Sequence, residues 1–347
     1  MATTSASGTE FSSGIPAAAE GAGSELPPGV GPWRLAWRRL RRNRVALFFG
    51  GLFLLIVVLC LLAPVYANDV AHSGLADQHV TDQIKIGGKL QYVISTTGIP
   101  IGPTWHSKFF LGADSNGRDV AVRLLYGGRN SLEIGIVATA ITMVLSLILG
   151  VLAGYYRGWA DAVVSRVFDL LWSYPAVLLG VALGVSLAVG GINFGLFTLS
   201  GNNLMVPAFI IGIVYIPYVG KPVRAQVLTL REREFVDAAR QQGISDTRIM
   251  LSEILPNLAS TIIVFVPLII ANAILLEAAL SFLGAGVQPP NPSWGTMISD
   301  GVHTIPAAFH NVLVPGIMLV LTVLSINIFG DGLRDALDPR AKVRIAH

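Results

Sequence analysis

Charge is what this chain has least of. Asp, Glu, Lys and Arg make up 13% of its 347 residues against 53% hydrophobic ones, and the mean hydropathy is +0.64. An ordinary soluble domain carries about 25% charged residues, so the composition excludes one and points to an integral membrane protein. Cysteine is almost absent. The single Cys60 lies inside an apolar run, which excludes a disulfide framework and a thiolate metal site. His72, His79 and His106 share one polar stretch without compact ligand spacing, so they read as solvated histidines and no metal is expected. A nucleotide-binding loop is missing as well. A Walker A cradle closes in Gly-Lys-Ser/Thr, whereas the Gly-Lys pairs here, Gly88-Lys89 and Gly220-Lys221, run on into Leu90 and Pro222. Any ATP-driven step needs another chain. The net charge of +3 and pI near 9.1 come from basic residues beside apolar runs, not on one face, which argues for membrane topology and against nucleic acid.

What is present is six apolar runs, at 45–66, 133–155, 167–189, 204–220, 258–283 and 312–330, near the roughly 20 helical residues that cross a hydrocarbon core. The expected fold is an all-α polytopic membrane protein with six transmembrane helices. Gly150, Pro175 and Pro217 fall inside these runs and are tolerable there, because neighbouring helices satisfy freed backbone groups. Basic flanks stay on the cytoplasmic side. With the N-terminus inside, the cluster from Arg34 to Arg44, then Arg157 and Arg166, the six from Lys221 to Arg248, and Arg334, Arg340, Lys342 and Arg344 are all cytoplasmic. Lys85, Lys89, Lys108, Arg118, Arg123 and Arg129 are left outside, in one loop. Both termini are therefore expected in the cytoplasm.

Residues 1–32, rich in Ala, Gly, Ser and Pro, read as a disordered cytoplasmic tail. Residues 33–67 read as an uncleaved membrane anchor: Val65-Tyr66-Ala67 resembles a processing site, but the apolar run exceeds a signal-peptide h-region. The outer segment 68–130 is long for a connection, so a partner-binding or gating role and a lid packed on its own helices both stay open.

The stretch 234–257 is a polar insert between apolar runs. Phe235, Ala238, Ala239 and Gln242 share a helical face, and the two alanines keep it shallow enough for close approach by another helix or a groove. Gly243 can supply a left-handed C-cap, Ser245 an N-cap for a helix starting at Asp246, and Pro256 a break where the next span begins. Helix, tight turn, helix is the expected shape, either a docking element for a soluble partner or an amphipathic loop shielding the membrane surface. Within the spans, Glu277 is the one well-embedded charge. It and Asn272 and Asn327 invite two readings, the translocation pathway or interhelical hydrogen bonds.

Asp237-Ala238-Ala239, Gly243 and Leu255-Pro256 resemble the EAA loop of ABC importer permeases, with Glu234 opening the segment. Asp237 replaces the family's Glu and Glu253 an apolar residue. Three further segments are similar to the second permease of the peptide and nickel branch, the DppC or OppC type. The first runs from Leu111 through Gly112, Asp114, Gly117, Arg118 and Asp119 to Val120, continuing into Leu125-Tyr126-Gly127-Gly128-Arg129-Asn130-Ser131-Leu132. The second is Leu280-Ser281-Phe282-Leu283-Gly284 with Gln288-Pro289-Pro290 and Pro292-Ser293-Trp294-Gly295, and the third is Leu333-Arg334-Asp335-Ala336-Leu337-Asp338-Pro339-Arg340.

The resemblance implies a five-helix MetI-like permease core at 131–337, with a coupling hairpin at 221–257, an extra N-terminal helix and a short cytoplasmic tail at 338–347. It further implies a non-enzymatic subunit in a bacterial cytoplasmic membrane, set in lipid. Its partners would be a homologous second permease in a heterodimer, one or two cytoplasmic ATPase subunits and an extracytoplasmic substrate-binding protein. ATP and Mg would be held by the ATPase partners and no cofactor by this chain. Short peptides are the implied cargo, with nickel chelates, glutathione or another small solute as alternatives. A stand-alone secondary transporter or channel is the reading of a different class; it calls for charged or unwound sites near the midplane.

Overall fold

The computed structural model describes residues 32–337 except 191, 194–197 and 200–202. The expected tails, with Arg340, Lys342 and Arg344, lie outside the described residues. Two helices open the described chain, α1 (Pro32–Leu40) and α2 (Arg44–Leu61), the second capped by Asn43, whose side chain accepts from the Ala46 N–H at 3.1 Å. After α3 (Ala63–Val65) and a π turn (Tyr66–Ala71) comes a small unit, the outer unit by the charge pattern of the sequence. Its hairpin pairs β1 (Gln83–Ile86) with β2 (Lys89–Tyr92) around a two-glycine turn, and Val93, Phe109 and Ala113 form its core. His79 is not solvated as expected. It bonds Asp82 at 2.7 Å and lies edge-on to Phe109 at 5.6 Å, because this unit has a core of its own.

The organising element is α4 (Val120–Tyr156). At about 1.5 Å per residue its 37 residues span roughly 55 Å, well beyond a hydrocarbon core of about 30 Å. It begins thirteen residues before the expected span because Asp119 caps it, Oδ1 accepting from the N–H groups of Ala121 at 2.9 Å and Val122 at 3.3 Å. Arg123 and Arg129, expected in the outer segment, lie on this helix.

Among the described residues, four helices are long and apolar enough to cross a membrane: α2, α4, the continuous helix beginning at Asp246, and α13 (His310–Leu337). The two other expected spans are broken. One is α5 (Gly158–Ser173) with α6 (Ala176–Gly190), bent by 91°. Pro175 forces Tyr174 into the extended region (φ −101°, ψ 140°), ending the helix there. The other is α7 (Met205–Val214) with α8 (Ile216–Leu230), bent by 41° just before Pro217. Six crossings hold only if each bent pair counts as one span.

The remaining helices are α9 (Glu234–Gln241), α10 (Asp246–Ile249), α11 (Leu255–Phe282) and α12 (Trp294–Val302). The helices α2, α5, α7, α8, α11 and α12 pack around α4. In lipid there is little hydrophobic drive between helices, so close van der Waals approach and buried hydrogen bonds hold them. Gly150 and Gly154 supply that approach: a Cβ on the first would stand 2.9 Å from Val223 Cγ1 and on the second 2.7 Å from Val227 Cβ of α8. Beside this seam, Thr142 and Ser146 of α4 donate hydroxyls to the carbonyls of Gly212 and Ile216, both at 2.8 Å, on either side of the bend between α7 and α8.

Candidate functional site

The polar insert folds as expected up to its second helix. The α9 helix ends in a double closure in which the Gly243 N–H bonds the Arg240 carbonyl at 2.9 Å and the Ile244 N–H bonds the Ala239 carbonyl at 3.1 Å. Gly243 takes φ +75°, and an added Cβ would meet nothing within 4 Å. Its requirement is conformational, not spatial. Ser245 stands in extended backbone before α10, although its side chain makes no capping bond.

Pro256 does not break the path. The helix runs on from Asp246 to Phe282, because a π turn (Met250–Ile254) widens the coil just ahead of Leu255 and the ring. Asn257 Nδ2 reaches back to the Glu253 carbonyl at 2.6 Å. The second arm of the hairpin is therefore the end of α11's own rod.

The two alanines part company. Ala238 is exposed with Glu234, Phe235, Asp237 and Gln242, while Ala239 is 6% exposed and turns inward with Val236. They pack in a core with Tyr155, Val227, Ile249, Met250 and Ile254. Adjacent residues on a helix point about 100° apart, and the seat beneath α9 takes Ala239 and leaves Ala238 outward. Ala239 lets α9 approach its own bundle, and Ala238 keeps the outward face shallow.

Tyr155, the penultimate residue of α4, is the hub. Its hydroxyl donates to Asp246 Oδ1 at 2.6 Å, Arg240 lies 5.5 Å from its ring centroid, and Arg231 donates to its carbonyl. Asp237 pairs with Arg240 at 3.2 Å, so the residue that departs from the family pattern steadies the cation above the tyrosine. Further pairs brace the same end of the bundle: Arg224 with Asp161 (Nη2 to Oδ2, 2.7 Å), Lys221 with Asp169 at 2.8 Å, and Arg157 with Glu232. Sequence reasoning missed Tyr155 and Asp246, since 91 residues separate them.

The outer motif forms a second constellation. Asp114 accepts from the N–H groups of Asn116 and Arg118 at 2.9 and 3.0 Å and pairs with Arg118 Nε at 2.6 Å and Arg123 Nε at 3.4 Å. Both guanidiniums reach Asp300 of α12, at 3.3 and 3.7 Å. Besides capping α4, Asp119 accepts the Phe109 N–H at 2.7 Å; burial lifts its carboxyl above the ordinary range, against the pull of these backbone donors. Gly112 and Gly117 take positive φ, and a Cβ would stand 2.7 Å from the Ile101 carbonyl on one and 2.9 Å from the Val80 nitrogen on the other. The motif clamps the outer unit onto α4 and α12.

Glu277 is fully buried, its carboxylate accepting from Ser131 of α4 at 2.7 Å and from Ser281 at 2.6 Å. The geometry is that of an interhelical bond. Asn272 differs: its side chain donates to the Leu268 carbonyl of its own helix at 2.9 Å, and Tyr215 of α8's N-cap reaches its backbone carbonyl at 3.2 Å.

Residues 146–343 match the model of the binding-protein-dependent transport system inner membrane component, and residues 31–83 match the N-terminal TM domain of oligopeptide transport permease C. The dipeptide transport system permease protein DppC of Alkalihalophilus pseudofirmus is 36% identical over 313 residues, 90% of this chain and 91% of that protein. The glutathione transport system permease protein GsiD of Pectobacterium atrosepticum is 34% identical over 311 residues, 90% and 92% of the two chains. A chain of the inward-facing MetNI methionine ABC transporter superposes with a TM-score of 0.50 at 19% identity, covering 62% of this chain and 96% of that one, a likeness of fold alone. This chain belongs to the family of binding-protein-dependent transport system inner membrane components and is a multi-pass permease subunit of an ABC importer.

Proposed function

We propose that this chain is half of a peptide importer in a bacterial cytoplasmic membrane, pairing with a homologous permease. Cytoplasmic ATPases holding ATP and Mg dock on the α9–α10 hairpin, and an extracytoplasmic binding protein delivers the cargo. The observation that carries the coupling reading is the two-sidedness of the hairpin. Its inner face is fused to the bundle through Ala239, Val236 and the Tyr155–Asp246 bond, and its outer face presents Phe235 beside the small Ala238. A partner moving that face moves α4 and α11 with it. The lysines and arginines around the hairpin support its cytoplasmic placement, and both termini with it. Residues of the EAA-type segment, Glu234, Asp237, Ala238, Gly243, Leu255 and Pro256, serve this contact directly or by shaping it.

Short peptides are the favoured cargo because the DppC relative is named for dipeptides. Glutathione is the second reading, favoured by the GsiD relatives. Uptake of labelled dipeptide and labelled glutathione into cells carrying the intact transport system, each in competition with the other, decides between them. Loss of ATPase co-purification on Ala238→Trp in a correctly inserted complex is expected; retention with full transport would sink the docking role.

A further inference from the structure

We infer that the outer end of this permease holds a carboxylate-binding subsite built on Arg118 and Arg123, with Asp300 as its built-in placeholder. The inference rests on the peptide reading above, because it assigns to this site the C-terminal carboxylate of the cargo. A cavity of about 180 Å³ opens between the outer motif, the loop after α11 and α12, bordered by both arginines, Asp300, Gln288, Asn291 and Thr296. It is too small for a whole drug-sized molecule, for which pockets of about 300–1,000 Å³ are usual. It suits one end of a chain.

The charge arrangement points to an anion. Asp114 is committed, sharing Oδ2 between Arg118 Nε at 2.6 Å and Arg123 Nε at 3.4 Å while Oδ1 takes two backbone N–H groups. Asp300 is held loosely, at 3.3 and 3.7 Å, and its side chain is 45% exposed. Arg123 is only 4% exposed, and its Nη1 is closed off from solvent, so what it turns toward Asp300 is Nη2. Arg118 Nη2 and Arg123 Nη2 converge on one carboxylate oxygen of Asp300 at distances that leave room for a closer acceptor. An exposed ion pair contributes little, so an incoming carboxylate can take over Asp300's place and form the bidentate contact that guanidinium favours. Proline at 289 and 290 and the capped start of α12, where Ser293 and Thr296 bond reciprocally, keep the wall in place.

The test uses the full-length chain in its assembled complex in lipid nanodiscs, without ATP or binding protein, and labelled alanyl-alanine against alanyl-alaninamide. Saturable binding of the dipeptide, at least tenfold weaker for the amide, is expected. Asp300→Asn should tighten dipeptide binding several-fold, since it removes the competitor and is exposed enough to leave folding intact; Arg118→Gln should weaken it tenfold or more. Equal binding of dipeptide and amide, or an Asp300→Asn variant indistinguishable from the parent, overturns the subsite. The two readings fail separately. Carboxylate-dependent binding without peptide uptake removes the cargo assignment and leaves the subsite. Peptide uptake whose KM ignores both the amide and Asp300→Asn removes the subsite and leaves the cargo.

Discussion

The two ends of this molecule are fastened by opposite means. The α9–α10 hairpin sits on an apolar seat, Val236, Ala239, Ile249 and Ile254 against Val227 and Tyr155, with the Tyr155 hydroxyl bond and the Arg240 contact on its ring across it. The outer unit is held by charge: two arginines, two aspartates and an aspartate cap, around a core of only three buried apolar side chains. Packed apolar contacts resist deformation and transmit a push, whereas an ion pair can exchange partners at little cost where it is exposed, as it is at Asp300. The first construction suits a lever and the second a surface that must let go.

The largest effect expected from breaking either fastening is at Asp119. Asp119→Ala removes the cap of a 37-residue helix, worth about 0.5–2 kcal/mol, and strands the buried Phe109 N–H, at about 1–3 kcal/mol more. Thermal unfolding of the complex should fall by several degrees, and hydrogen exchange should rise across 72–118 while 234–257 stays protected. Equal loosening of both ends would show that the two fastenings are one.

Next comes the split between neighbouring alanines. Ala239→Leu overpacks the seat and should destabilise by about 1–3 kcal/mol, lowering the melting temperature. Ala238→Leu should leave stability within about 0.5 kcal/mol and instead reduce ATPase capture. The reverse pattern would turn α9 over.

How much of this was legible beforehand follows from the range of each interaction. Apolar runs announce helices because burial in lipid is a local property of twenty residues, and Gly243 announces its turn because a left-handed residue needs no distant partner. The break at Pro175 was illegible as a 91° bend, since a membrane helix can also absorb proline when neighbours satisfy it. Pro256 erred the other way, absorbed by a π turn whose place depends on packing. Asp114 and Arg118 carry the i,i+4 spacing of a pair, but their partner Asp300 lies 182 residues from Arg118 along the chain. Gly150 read only as a tolerated glycine, and its partnership with Gly154 shows once the facing helix α8 is in place.

Tyr155→Phe sharpens the comparison further. It deletes one hydroxyl and leaves the ring over which Arg240 lies, so the seat should weaken by only about 1 kcal/mol. If the hairpin acts as a lever, binding-protein-stimulated ATP hydrolysis should fall while basal hydrolysis and ATPase co-purification hold. A proportional fall in both activities would make Tyr155 a matter of folding alone.

The smallest and most discriminating effect is that of salt. Between about 0.1 and 1 M the Debye length shrinks from about 10 to 3 Å, so exposed pairs weaken while apolar contacts do not. Asp300, 45% exposed, is the weak point of the outer clamp, whereas Arg123 and Asp114 behind it are 4% and 11% exposed and escape most of the screening. Raising salt should therefore speed hydrogen exchange modestly near 114–118 and at α12, leave Ala239 and Ile249 unchanged, and do nothing further once Asp300→Asn has removed the screened partner. Salt-sensitive exchange at the hairpin instead would mean that Asp237, Arg240 and the pairs along α8 hold it, and that the apolar seat is not what makes it rigid.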